Sequence, residues 1–85
     1  MFEIFLTRSA RRDLITLPRV ISKRIYNKLI EFREDPLTSR GIKKLAGNPF
    51  YRIRVGDYRV IFDINQSEKK IYVLKIAHRK NIYKQ

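Results

Sequence analysis

The stretch FYRIRVGDYRVIF, residues 50–62, constrains the fold more than any other part of the sequence. Two runs rich in β-branched and aromatic residues flank Gly56-Asp57, and a dipeptide with glycine first is typical of a two-residue β-hairpin turn. A turn of that length places Arg54 directly opposite Arg59. The chain is therefore predicted to contain an antiparallel hairpin, which must bury one face against other elements to be stable.

The residues before the hairpin show apolar side chains at helical spacing, which predicts helices there. An opening strand is followed by two amphipathic helices, the first capped by Thr7 or Ser9. The second helix starts at Pro18, which suits a first helical turn. It ends near Asp35-Pro36, because the residue before a proline avoids the helical region.

The predicted element order is β-α-α-β-β-β, in a single domain over residues 1–85. Residues 36–49 are predicted to form a loop. The predicted strands are 2–7, 50–55, 58–65 and 70–78. This order favours an α+β fold, with two N-terminal helices packed on one face of a small, largely antiparallel sheet. The other face of the sheet is then free for a ligand.

The charge balance indicates an anionic partner. Lys and Arg number 20 against 8 Asp and Glu, a net charge of +12, while 44% of the residues are hydrophobic and can form a core. A folded body this basic attracts nucleic acid first and an acidic protein second. There is no cysteine, no apolar run near the roughly 20 residues of a membrane span, and no basic signal segment at Met1. We therefore expect a cytoplasmic protein.

Three arginines of the hairpin are expected to form a binding site. Strand alternation places Arg52 and Arg54 on one face, and Arg59 joins them across the turn. Opposed like charges destabilise a hairpin, so their clustering indicates phosphate binding, for which the arginine fork is well suited. The alternative is a solvated strand face. Lys75 interrupts an apolar strand and either snorkels to solvent or faces the same site.

The end of the chain carries a second group of polar residues. A helical turn would place Arg79 and Tyr83 on one side, beside His78. A simple turn at residues 66–69 puts His78 on the face of Arg59 and Arg79 on the other face, whereas a bulge reverses this. The sequence leaves both arrangements open.

The residue types restrict the chemistry. The glycines form no phosphate-binding or dinucleotide-binding loop, and the acidic residues are scattered rather than clustered as a metal nuclease needs. We therefore expect no metal and no cofactor. Arginine, tyrosine, histidine and lysine suit RNA cleavage through the substrate's own 2′-hydroxyl. Arginines would neutralise the phosphate. Tyr83 would act as a base if neighbouring cations lowered its pKa, and His78 would act as an acid or a base.

The motifs SARRDLITL, KKLAGNPFYRIRVGDYRVIFDI and IYVLKIAHRKNIY resemble the RelE/ParE toxins of toxin–antitoxin pairs, and the RelE type most. The resemblance implies a metal-independent, ribosome-dependent endoribonuclease that cuts mRNA in the ribosomal A site. It implies Arg59, Arg79 and Tyr83 as catalytic residues, Arg52 and Arg54 as RNA-binding residues, and a RelB-like antitoxin that neutralises the toxin in a hetero-oligomer.

Two departures from the family pattern bear on mechanism. The strand positions Arg52 and Arg54 are often lysine in the family, and guanidinium is a poor proton donor although a good phosphate clamp. The interval from Arg79 to Tyr83 is shorter than in some relatives, so His78 is a candidate for part of the proton transfer. The alternatives are a ParE-like toxin that inhibits a topoisomerase without cleavage, and a non-enzymatic basic module that binds nucleic acid.

Overall fold

The computed structural model describes residues 1–36 and 41–81. Its elements, in chain order, are β1 (Glu3–Leu6), α1 (Arg8–Thr16), α2 (Arg19–Phe32), β2 (Lys43–Lys44), β3 (Tyr51–Val55), β4 (Tyr58–Asn65) and β5 (Lys70–His78). The predicted α+β fold is confirmed, and the predicted elements occur in the predicted order, with β2 as an additional strand. Among the described residues, no helix combines the length and apolar character needed to cross a membrane.

The strands form one sheet in the order β1-β5-β4-β3-β2. The first strand lies parallel to the last, and the other neighbours are antiparallel. The hairpin turn follows the prediction, with Val55 paired to Tyr58 and Gly56 at φ +59°. A positive φ at the first central residue is what a type II′ turn requires, and glycine adopts it without steric cost.

The prediction of a loop over residues 36–49 is wrong at one point. Lys43 and Lys44 pair with β3, forming β2 at the edge of the sheet. A turn containing Gly47, at φ +80°, folds the chain back, and the Leu45 N–H donates to the Phe50 carbonyl at 2.9 Å. Two lysines carry no strand periodicity, so the pairing results from the turn rather than from strand propensity. Residues 37–40 of the predicted loop lie outside the described residues.

Thr7 joins the first helix to the last strand. Of the two predicted caps it is the one used, since its Oγ1 accepts from the Ala10 N–H at 3.1 Å. The same hydroxyl donates to the Leu74 carbonyl at 3.2 Å, and the Thr7 N–H donates to the Val73 carbonyl at 3.0 Å. The start of α1 is therefore fixed directly to the middle of β5.

The hydrophobic core lies between the helices and one face of the sheet. Phe62 is central to it, with its ring 5.1 Å from Phe32 and 6.0 Å from Tyr51. Each large apolar side chain buried in this way contributes about 1.5–3 kcal/mol. The core residues are Ala10, Ile25, Leu29, Phe32, Ile53, Val60, Phe62, Ile71, Val73 and Ile76. Because strand residues alternate, the arginines beside Ile53 and Val60 point to the opposite face.

A β-bulge interrupts the pairing of β4 with β5. Phe62 pairs with Val73, but the preceding Ile61 pairs with Lys75, so Leu74 is an extra residue on β5. A bulge of this kind shifts the alternation of the residues beyond it. Every residue of β5 after Leu74 therefore faces the side opposite to that expected from a simple turn.

Candidate nucleic-acid interface

The hairpin register brings three guanidinium groups to the open face of the sheet. Arg54 pairs directly with Arg59, and Arg52 pairs with Ile61 on the same face. We call the surface formed by Arg52, Arg54 and Arg59 the cationic face. The register predicted from the sequence is confirmed, whereas the roles of the three residues stay predictions.

Arg59 is the least satisfied of the three arginines. Its Nε and Nη1 are buried, and no hydrogen-bond acceptor contacts them within residues 1–36 and 41–81. A buried donor without a partner costs about 1–3 kcal/mol, and more when the group is charged. An unpaired cation of this kind is suited to receive an anion.

The other two arginines are more accessible. Arg54 is exposed and its Nε donates to the Gly56 carbonyl at 3.0 Å, which holds the side chain beside the hairpin turn. Arg52 is partly exposed and lies opposite Lys43 of β2. Lys43 thus extends the cationic face by one strand. Sequence reasoning missed it because β2 was not predicted, although the KK pair before a Gly-Asn turn was a weak signal.

Several acidic side chains pair with lysines rather than with the arginines of the cationic face. Lys28 pairs with Glu31, Lys70 with Glu68, and Lys75 with Asp13. None includes an arginine of the cationic face. With a net charge of +12 on the whole chain, this surface remains strongly positive.

The bulge decides which C-terminal residues share this face. Ala77 pairs with Arg59, so Lys75 and Ala77 lie on the side of the arginines. The Arg79 N–H donates to the Asp57 carbonyl at 2.8 Å, which continues the ladder by one residue and holds the backbone of Arg79 beside the hairpin turn. Of the two arrangements that the sequence left open, the structure has the one produced by a bulge.

Lys75 is already paired. Its Nζ lies 3.4 Å from Asp13 Oδ1, and the other oxygen of that carboxylate accepts from the Ile76 N–H at 3.0 Å. Both side chains are largely buried, with 26% and 19% of their surface exposed. Asp13 therefore anchors α1 to the free edge of β5 beyond the end of β1. Its position on a helix, distant in sequence from β5, gave no signal of this contact.

His78 lies on the other side of the sheet from Arg59. It pairs with Tyr58, and the two rings meet edge to face with centroids 5.3 Å apart at 80°. The strand register thus places Arg52, Arg54 and Arg59 on one face with Lys75 at its margin, holds the backbone of Arg79 next to the hairpin turn, and puts His78 on the other face. Tyr83, the other predicted catalytic residue, lies outside the described residues.

A groove on the helical side is a second candidate surface. A cavity of about 550 Å³ lies between α1 and α2, with Leu14 and Tyr26 in its walls and Arg19 and Lys23 among its basic lining residues. A smaller cavity of about 230 Å³ shares Leu14 and Tyr26 and extends to β1. Tyr26 is 56% exposed. The groove is thus lined by both apolar and basic side chains.

Comparison with known proteins agrees with this architecture. A family model described as the ParE toxin of the type II toxin–antitoxin system parDE matches residues 4–83. Toxin RelE3 of Methanocaldococcus jannaschii is 35% identical over 82 residues, covering 85% of this chain and 84% of that protein. Toxin RelG of Mycobacterium tuberculosis is 29% identical over 90 residues, covering 98% and 97%.

A solved structure shows the same fold. The RelE chain in the archaeal RelE–RelB complex from Pyrococcus horikoshii superimposes with a TM-score of 0.79 at 28% identity, covering 92% of this chain and 94% of the matched one. The family model and the shared fold together identify a small toxin of the type II toxin–antitoxin class. The chain belongs to the RelE/ParE family of these toxins.

Proposed function

We propose that this toxin is a ribosome-dependent endoribonuclease that cuts mRNA in the ribosomal A site, without a metal ion. The observation that carries the proposal is the cationic face, where Arg59 holds two buried donors with no acceptor among the described residues. Fixed donors aimed at developing negative charge often supply the largest part of catalysis.

The reaction needs only the RNA and side chains. The 2′-oxygen attacks the adjacent phosphorus, the bond from phosphorus to the 5′-oxygen breaks, and the products are a 2′,3′-cyclic phosphate and a 5′-hydroxyl. The proton of the 2′-hydroxyl must leave, and a proton must reach the 5′-oxygen. We assign charge stabilisation to Arg59 and Arg79, and binding of the flanking phosphates to Arg52 and Arg54.

Lys75 and Tyr83 complete the proposed site. Lys75 lies at its margin, where its pairing with Asp13 leaves it a weaker phosphate ligand than Arg59, whose Nε and Nη1 have no acceptor among the described residues. Tyr83 is proposed to accept or supply a proton, because arginine holds its protons too tightly for that task. No group of three His, Cys, Asp or Glu side chains in the described ranges is arranged to hold a metal ion.

A cleavage assay tests the proposal. Purified toxin is mixed with ribosomes stalled with a vacant A site on a defined mRNA, and the cut positions are mapped by primer extension. Arg59→Ala should lower the cleavage rate ~10²-fold or more, and the Arg59→Ala/Tyr83→Phe double variant should be inactive. Arg8→Ala is the matched control, since it removes one exposed positive charge at the start of α1. No cleavage by the wild type, or full cleavage by the double variant, contradicts the proposal.

An antitoxin is the second proposed partner. The chain matched in the Pyrococcus horikoshii structure is bound to RelB. We propose that an acidic, apolar segment of a cognate antitoxin folds on this toxin and lies in the groove between α1 and α2. Its apolar residues would cover Leu14 and Tyr26, and its acidic residues would meet Arg19 and Lys23. Because its proposed target is the ribosome with its mRNA, the unbound toxin would act in the cytoplasm.

A ParE-like toxin that inhibits a topoisomerase is the alternative function. The family-model match over residues 4–83 favours it, since that model describes ParE toxins. A gyrase supercoiling assay separates the two functions. Inhibition of supercoiling together with intact mRNA on ribosomes would support the alternative and rule out the nuclease.

A further inference from the structure

Two hydrogen bonds at the end of β5 give His78 a structural task. Its Nδ1 accepts from the Lys80 N–H at 3.2 Å, and its carbonyl accepts from the Asn81 N–H at 2.8 Å. Residues 78–81 thus form a β-turn. In such turns an Asp, Asn or Ser side chain at the first position commonly accepts from the N–H two residues on, and here an imidazole takes that place.

This turn is fixed to the tip of the hairpin. The His78 ring rests against Tyr58, its direct partner across the strands. The next residue, Arg79, donates its N–H to the Asp57 carbonyl at 2.8 Å. The backbone of Arg79 is therefore held from both sides, by the hairpin and by the turn that His78 closes.

We propose that His78 is a positioning residue, whose Nδ1 fixes the turn of residues 78–81 and so holds Arg79 against the cationic face. The proposal rests on the proposed nuclease function for its catalytic readout. Proton transfer by His78 is the competing role. Two observations oppose that role: the ring lies across the sheet from Arg59, and its Nδ1 lone pair is engaged by the Lys80 N–H.

Isosteric substitutions distinguish the two roles. In His78→Asn the amide oxygen stands the same number of bonds from Cα as Nδ1 does, so it can accept from the Lys80 N–H. In His78→Gln the amide reaches the place of Nε2 and leaves that N–H without its acceptor. Neither amide transfers protons near neutral pH, and His78→Ala removes both ring nitrogens.

Single-turnover cleavage on stalled ribosomes gives the catalytic readout. His78→Asn should stay within about threefold of the wild type, because one neutral hydrogen bond is retained. His78→Ala and His78→Gln should lose about 10-fold to 100-fold in the chemical rate, with little change in the concentration for half-maximal rate, because a misplaced catalytic group costs about that much. In an Arg79→Ala background, His78→Ala should cause no further loss, as expected for a residue that acts through Arg79.

Asn48→Ala provides the matched control. The Asn48 Oδ1 accepts from the Phe50 N–H at 2.9 Å, the same contact between a side chain and the N–H two residues on, at the turn before β3. Its loss should lower stability, although less than His78→Ala, which also removes the ring contact with Tyr58, and the cleavage rate should be unaffected. A rate loss in this control equal to that of His78→Ala would show that the effect is global and would overturn the proposal.

Three further results would overturn it. The first is that His78→Asn is as impaired as His78→Ala. The second is that His78→Gln keeps the wild-type cleavage rate. The third is that His78→Ala in the Arg79→Ala background lowers the rate as much as it does in the wild type. Amide hydrogen exchange by NMR is independent of the ribosome: Lys80 and Asn81 should be protected in the wild type and His78→Asn but not in His78→Ala. If the wild type cuts no mRNA, the proposed function fails, and the exchange data alone decide whether His78 orders the turn.

Discussion

Replacing Arg59 with methionine should make this toxin more stable and remove its anion site. The Nε and Nη1 of Arg59 are buried without an acceptor among the described residues, and Arg54 lies directly opposite. Methionine has a similar length, fills irregular space and has no donor to leave unpaired. The wild type therefore has a destabilising feature at the centre of its proposed site, as is common for functional residues.

The expected magnitude follows from these contacts. An unsatisfied buried donor costs about 1–3 kcal/mol, and an opposed like charge about 0.2–1 kcal/mol. Since Arg59 as a whole is only partly buried, solvent screens part of this cost, and a net gain of about 1–2 kcal/mol is reasonable. For a domain of 60–100 residues, each kcal/mol shifts Tm by about 4–8 °C, so Tm should rise by about 5–15 °C.

Thermal and urea unfolding of the purified toxin measure this gain. Arg54→Met is the matched control, because it relieves the same repulsion but breaks the bond from Arg54 Nε to the Gly56 carbonyl, and its Tm should not rise. Inorganic phosphate should stabilise the wild type more than Arg59→Met, since an anion that binds only the folded state raises stability. A lower Tm for Arg59→Met than for the wild type would refute the reasoning, because it would mean that the guanidinium has a stabilising partner.

Two further predictions concern the scaffold. Asp13→Ala should lower the free energy of unfolding in urea by about 1.5–3 kcal/mol, because the Ile76 N–H and Lys75 both lose a charged partner. Asp13→Asn should recover part of this loss, since its amide oxygen can still accept from the Ile76 N–H. Equal losses for the two variants would show that this hydrogen bond is unimportant. Gly56→Ala should cost about 1–2 kcal/mol from its φ of +59°. A Cβ there would lie 3.9 Å from Arg24, so space does not limit the substitution, and an unchanged Tm would contradict the backbone argument.

The hairpin could be predicted from the sequence because its determinants are local. Glycine before aspartate between two β-prone runs sets both the turn and the register, and the register alone places Arg54 opposite Arg59. The boundaries of β4 and β5 were predicted for the same reason, since apolar runs and turn residues mark them. All three arginines of the cationic face, and their relative positions, can thus be predicted from the thirteen consecutive residues 50–62.

The C-terminal side of the site depends on contacts between distant residues. Nothing in IYVLKIAHR marks Leu74 as an extra residue, and its carbonyl is held by Thr7, 67 positions earlier. The faces of His78 and Arg79 could therefore not be chosen from sequence. The Asp13 anchor was missed for the same reason, and β2 was missed because two lysines have no strand pattern.

Leu74, the extra residue of the bulge, determines which face of the sheet each later residue of β5 points to. Upstream of it β5 contributes Ile71 and Val73 to the interior, and downstream it contributes Ile76, so the inward-facing positions change from odd to even numbers. A substitution at Leu74 preserves that arrangement, but loss of the residue would exchange inside for outside all the way to Arg79. In this toxin a deletion in β5 should therefore be tolerated less well than a substitution at Leu74.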